Sequence, residues 1–185
     1  MRVDYEIDGV AAAEYRRHGH WRDAIIVDDF LGQSRRLADK VAIVSYRAEA
    51  ARRDELTYSE LATYVDRFAG GLLELGVEPG EVVSFQLPNW WEFVALQLAC
   101  ARVGAVANPI LPILRRREVS FIVERTQSRI CVGMATQRNF DHARLLLDVQ
   151  ADVPSLEHVF IVDGPAPAGT TSLDRKSTRL NSSHT

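Results

Sequence analysis

The stretch from Val82 to Pro112, V-V-S-F-Q-L-P-N-W-W-E-F-V-A-L-Q-L-A-C-A-R-V-G-A-V-A-N-P-I-L-P, reads as a strand, a capped helix and a second short strand. Val82 to Leu87 is rich in β-branched and aromatic residues, and Pro88 stops it because proline has no N–H to give to a ladder. Asn89 is placed to cap the following helix, and Glu92 three residues later to reach back toward that cap. From Phe93 to Val103 only Gln97 and Arg102 are polar, so the helix is apolar nearly all round and is expected to be buried. Gly104 suits the left-handed position that ends it. A buried helix between two apolar strands is the unit of a parallel sheet.

Working outward, the same alternation continues on both sides. Thr57-Tyr58-Ser59-Glu60 is a capping box, and Leu61, Val65, Phe68, Leu72 and Leu75 follow at helical spacing up to Gly76. Gly70-Gly71 falls inside that helix, where close packing accounts for it better than a phosphate loop does. Downstream, 115–126 is expected to be a helix with Leu114, Phe121, Ile122 and Val119 inward, and 129–133 a strand. Phe140, Ala143, Leu146 and Leu147 mark a further helix, and 158–162 a further strand. Right-handed crossovers turn this order into an α/β fold: a doubly wound, mostly parallel sheet with helices on both faces. Upstream lie two short helices (11–17 and 28–37) and a strand over 41–46. A charged loop over 47–55 then leads to 56–58, expected to return as a second short strand. The expected organisation is an N-terminal helical segment (1–40), the α/β unit (41–162), a Gly/Pro/Ala/Thr linker (163–174) and a polar tail (175–185). That tail resembles translated sequencing-adapter read-through and is read as non-native.

The composition excludes several classes of function. A net charge of −3, from 22 basic and 25 acidic residues, gives no electrostatic case for nucleic acid or an anionic membrane. No segment approaches the ~20 apolar residues of a membrane span, and the N-terminus is not a secretory signal. Cys100 and Cys131 are the only cysteines, both in apolar elements, which suits buried free thiols in a reduced, cytoplasmic setting.

Motifs for chemistry are sparse: there is no G-x-S-x-G, H-E-x-x-H, G-x-G-x-x-G or G-x-x-x-x-G-K-[ST]. His18 and His20, near Asp23, Asp28 and Asp29, do not share a helix face and read as surface loop rather than metal ligands. Trp90 and Trp91 suit packing better than a stacking platform. Arg115-Arg116-Arg117 breaks a local rule, since the first turn of a helix disfavours positive charge. Three cations there suit either a phosphate or a solvated face offset by Glu118 and Glu124.

The chain resembles the AMP-forming acyl-CoA synthetases of the adenylate-forming superfamily, from about Trp21 to Asp163. The resemblance rests on L-T-Y-S-E-L (56–61), G-G-L-L-E-L-G-V-E-P-G-E-V-V (70–83) and Q-L-P-N-W-W-E-F-V-A-L-Q-L-A-C-A-R-V-G-A-V-A-N-P (86–109). The double tryptophan resembles the branch of medium-chain and alicyclic acid–CoA ligases, such as cyclohexanecarboxylate–CoA ligase. The resemblance implies an incomplete N-terminal part of a larger synthetase domain. The parent enzyme would use ATP, Mg2+ and CoA to convert a fatty or alicyclic carboxylic acid into its thioester through an acyl-adenylate. The family's Ser/Thr/Gly-rich phosphate loop, its ribose-binding acid and its C-terminal catalytic lysine have no counterparts here, so no catalytic residue and no metal ligand is carried over. These residues alone are expected to be inactive. Pro112 and Arg138 correspond to the vicinity of CoA, and Arg115 joins them through the dipole argument. The alternative is a stand-alone doubly wound binding or interaction module without catalysis.

Overall fold

The computed structural model describes residues 8–173. Two short helices open the described residues, α1 (Gly9–Arg17) and α2 (Ile26–Arg36). A hairpin of β1 (Val41–Arg47) and β2 (Arg52–Thr57) follows, antiparallel and joined by a 3-10 turn, then α3 (Tyr58–Glu74). The central unit is β3 (Val82–Gln86), α4 (Trp91–Val103) and β4 (Val106–Pro109). Next come α5 (Arg116–Thr126), β5 (Ile130–Met134), a small hairpin of β6 (Thr136–Gln137) and β7 (Phe140–Asp141), and α6 (His142–Asp152). The described chain closes with β8 (His158–Val162) and β9 (Thr171–Ser172).

The main sheet runs β4-β3-β5-β8-β9 with every pair parallel. Period-two alternation divides its side chains between two cores. Val83, Phe85, Ile130, Val132, Met134, Phe160 and Val162 pack with α3 and α4. Cys131, Val159 and Ile161 pack with Val119 and Val123 of α5 and Ala143, Leu146 and Val149 of α6. The α/β, doubly wound architecture is therefore as the sequence implies. Burying one such Val, Leu or Phe side chain contributes roughly 1.5–3 kcal/mol.

Local chemistry fixes the ends of the helices. Thr57 Oγ1 accepts from the Glu60 N–H at 3.2 Å, and Glu60 Oε2 accepts from the Thr57 N–H at 2.8 Å, closing the capping box. Gly104 ends α4 at φ 77°, in the left-handed region where a side chain would be strained.

Five expectations need correction. Asn89 does not cap α4: Trp90 occupies that position without a side-chain bond, and Glu92 turns away to an ion pair described below. Much of the expected charged loop 47–55 is strand, because its buried charges are paired across the hairpin rather than solvated. Phe121 points outward, 67% exposed, since Val119 and Val123 already fill the inner stripe of α5. The stretch after Val162, expected as a linker without periodicity, contributes the short strand β9, and Leu173 donates its N–H to the Ile161 carbonyl at 2.8 Å. At Gly70 a Cβ would meet nothing within 4 Å, so close packing does not explain that glycine. The tail 175–185 lies outside the described residues.

Gly133 is where α6 comes closest to the sheet: a Cβ there would lie 2.3 Å from Leu146 Cδ1. Gly133→Ala is expected to cost about 1–3 kcal/mol by overpacking. Leu146→Ala should cost about 2–5 kcal/mol by leaving a cavity. In urea denaturation the double variant should lose clearly less than the sum, because each change relieves the other.

Candidate functional site

The strand order gives the sheet one switch point. The chain leaves β3 toward β4 on one side through α4, then crosses back through α5 to β5 on the other side. Loops at the carboxyl ends of β3 and β5 therefore diverge and leave a crevice, the usual ligand position in open α/β sheets. Here it is a cleft of about 470 Å3 whose lining includes Tyr46, Glu49, Asn89, Trp90, Arg138 and Asp163. Arg138 and Asn139 have φ of 49° and 59°, the pair of positive values that a two-residue type I′ hairpin turn demands. The Arg138 N–H donates to Glu49 Oε1 at 2.7 Å, tying this hairpin to the turn between β1 and β2.

One wall of the cleft is a buried charge cluster. The Arg47 side chain is 2% exposed and its guanidinium lies 4.0 Å from the centroid of Trp90. Its Nε donates to Asp54 Oδ2 at 3.0 Å, its Nη2 to Glu92 Oε1, and its Nη1 lies 3.2 Å from Asp163 Oδ2. Arg52 adds contacts to Asp54 at 3.2 Å and to Asp163 at 3.0 Å. Three carboxylates thus face two guanidiniums, and burial raises the pKa of Glu92 against the opposing pull of Arg47. Behind the cluster lies a second cleft of about 310 Å3, reaching Trp91, Gly164 and Leu173.

The other wall hangs on Gln86, which is fully buried on β3. Its Nε2 donates to the carbonyls of Leu111 and Leu114 at 3.0 and 3.1 Å, pinning the loop between β4 and α5. With both amide hydrogens used, Oε1 is left to accept, so His142 Nδ1, 3.3 Å away, carries the hydrogen. His142 is 1% exposed, and burial, helped by the nearby charge of Arg115, lowers its pKa to about 4. The imidazole is neutral at physiological pH.

Pro112 and Arg115 lie on the loop that Gln86 pins. Arg115 Nη1 donates to the carbonyls of Pro112, Ile113 and Leu114 at 2.9, 2.9 and 3.1 Å, and its guanidinium sits 4.0 Å from the Phe140 centroid. Phe140 pairs with Gln137 in the hairpin whose turn contains Arg138, so the three candidate residues border neighbouring elements at one end of the sheet. Arg116 is held bidentately by Asp152, both bonds 2.8 Å, and Glu118 accepts from the Arg115 N–H at 3.2 Å. Two of the three arginines are thereby engaged within the protein. Trp91 packs against Tyr64 and Phe68, with centroids 4.4 and 6.3 Å away, as a core residue. Cys100 and Cys131 are buried, and desolvation pushes both thiols up to about 12.

Among the described residues no group of three or more His, Cys, Asp or Glu side chains is arranged to hold a metal ion. Apart from the exposed guanidinium of Arg138, the cations near the cleft are engaged by carboxylates or carbonyls, and Glu49 and Asp163 add negative charge to its lining. This donor set does not fit Mg2+ and a nucleotide triphosphate. Sequence reading missed Arg47, Asp54, Gln86 and His142, because single polar residues in apolar strands or charged hairpins carry no motif.

The chain belongs to the AMP-binding enzyme family, whose profile matches residues 30–184. It is 32% identical over 173 residues to the medium-chain fatty-acid–CoA ligase of Escherichia coli K12, covering 94% of this chain and 30% of that enzyme. It is 31% identical over 163 residues to a salicylyl-CoA synthase / salicylate adenylyltransferase of Streptomyces, covering 88% of this chain and 28% of the relative. The apo structure of Mycobacterium smegmatis MbtA superposes with a TM-score of 0.74 at 30% identity, covering 90% of this chain and 29% of MbtA. The chain thus spans about three-tenths of the length of these relatives, matching their N-terminal part.

The buried imidazole makes stability depend on pH. Between pH 6.5 and about 4 the unfolded chain binds a proton that folded His142 does not, so stability falls as pH drops through that window. The full effect amounts to up to about 3 kcal/mol. Glu92, shifted upward, works in the opposite sense and is unchanged in a His142→Asn variant. Urea midpoints measured from pH 7 to pH 4 should therefore fall more steeply for wild type than for His142→Asn.

Proposed function

We propose that these 185 residues are the N-terminal part of an ATP-dependent, AMP-forming carboxylic acid–CoA ligase. In that reaction a carboxylate attacks the α-phosphorus of ATP to give an acyl-adenylate and diphosphate, and the thiol of CoA then displaces AMP. The observation that carries the reading is the family match over residues 30–184, joined to relatives whose names are those of acid–CoA ligases. The acyl group is a medium-chain or alicyclic acid, a choice supported by the Escherichia coli relative and by the Leu87-Pro88-Asn89-Trp90-Trp91 run. Mg2+ accompanies ATP in the parent enzyme, and the reaction belongs in the cytoplasm, where buried free thiols persist. No helix among the described residues is long and apolar enough to cross a membrane.

Within that enzyme this part supplies framework rather than chemistry. Gln86 and His142 fix the loop bearing Pro112 and Arg115, and Glu49 fixes the turn bearing Arg138. We assign these three residues to the vicinity of bound CoA, with exposed Arg138 as the group free to meet a phosphate. The division into a helical segment (1–40), the α/β unit (41–162) and a connection (163–174) is part of the same proposal.

The 185 residues contain neither a glycine-rich phosphate loop nor a counterpart of the family's C-terminal lysine, so adenylation by them alone is not expected. A coupled diphosphate-release assay on the purified polypeptide, with ATP, Mg2+ and octanoate or cyclohexanecarboxylate, should read background. Acid-dependent diphosphate release would overturn that part of the proposal. In a longer polypeptide that includes these residues, Arg138→Ala should raise the KM for CoA several-fold and leave adenylation unchanged.

A further inference from the structure

Arg47 and Asp163 are the two residues that line both clefts. Arg47 is the fixed member of this partition: its guanidinium is held by Asp54 and Glu92 and stacked over Trp90. Asp163 is the exposed member, with 24% of its side chain open to solvent. It stands just past β8 at φ 56°, in the left-handed region that aspartate and asparagine enter more readily than other residues bearing a side chain. What holds it is ionic, with Arg47 Nη1 at 3.2 Å and Arg52 Nη1 at 3.0 Å. Gly164 follows at φ 141°, and a Cβ there would lie 2.5 Å from the Ala135 Cβ. The chain therefore leaves β8 pressed against the end of β5. Beyond it, the connection rejoins the sheet through the two-residue strand β9.

We propose that the Arg47–Asp163–Arg52 contact is an ionic latch. Closed, it holds the β8–β9 connection against the β1–β2 hairpin and keeps the clefts of about 310 and 470 Å3 apart. Open, it frees the connection and joins the two clefts into one channel. Release leaves no stranded charge, because Arg47 keeps Asp54 and Glu92, whereas removing Arg47 would strand two buried carboxylates. Arg52 is 45% exposed, so salt reaches the latch and weakens it. The latch works the same way whichever acid, nucleotide or thiol the parent enzyme uses.

Hydrogen exchange on the 185-residue polypeptide tests it. Asp163→Asn, which tolerates the same backbone but lacks the charge, should speed exchange across residues 164–173 about tenfold. Exchange in β3 and β5 should not change. Raising salt from about 0.1 M to about 1 M should speed the same segment in wild type and have little effect in the variant. Asp163→Gly, at ease with positive φ, should behave like Asp163→Asn. In a Trp21→Phe background, acrylamide should quench Trp90 and Trp91 more strongly once Asp163 is changed. Unaltered exchange in Asp163→Asn would overturn the latch, as would protection retained in Asp163→Gly or acceleration spread equally through the core. Faster exchange without added quenching would overturn the joining of the clefts.

Discussion

A buried guanidinium is the constraint on which the rest of the structure turns. Arg47 comes from a hairpin outside the main sheet, yet its partners are Asp54 on the same hairpin, Glu92 in the first turn of α4 and Asp163 at the end of β8. Three elements far apart in sequence are therefore bound to one side chain. Taking Arg47 away, or either of its buried partners Asp54 and Glu92, leaves desolvated charge unbalanced, which is far more destabilising than the pair is stabilising; the more exposed Asp163 is not bound by that constraint. The planar fork of arginine suits this task, since its donors diverge in fixed directions and its face is free to lie on Trp90. Such a cluster adds geometric definition more than net stability.

The opposite face of the sheet achieves the same end with neutral groups. Ser84, facing away from Val83 and Phe85, bonds Ser128 at 2.7 Å and accepts from Asn108 at 2.9 Å. Gln86, two residues on, fixes two loop carbonyls and orients His142. These side chains sit where alternation would otherwise put aliphatic residues, and each finds partners. The carboxyl end of β3 is thus defined by charge on one side and by amide and hydroxyl bonds on the other. That is what makes the switch point a shaped crevice rather than a loose join between loops.

The fold was legible because its signals were local and repeated. The capping box at Thr57, the apolar run of α4 and the stop at Gly104 each imply a boundary, and together they imply a parallel sheet. The site was much less legible. Arg47 and Asp54 looked like a solvated loop, since nothing in a charged stretch reveals which of its members will be paired indoors. Glu92 looked like a capping residue for its own helix, and only the tertiary position of the hairpin redirects it. Phe121 shows the same limit on the apolar side: helical periodicity leaves two faces open, and packing of Val119 and Val123 chooses between them. The family resemblance reached further than local physics, because it drew on the spacing of several motifs at once.

The two cysteines have a consequence of a different kind. Cys100 and Cys131 have no exposed surface, and their thiols are displaced to about 12, so almost no thiolate is present or reachable in the folded state at neutral pH. Alkylating reagents can meet them only when the sheet and α4 come apart. The pair is therefore a built-in clock for unfolding, silent while the protein is intact. A single cysteine added on the surface would carry a fluorescent or spin label with no background from the native thiols.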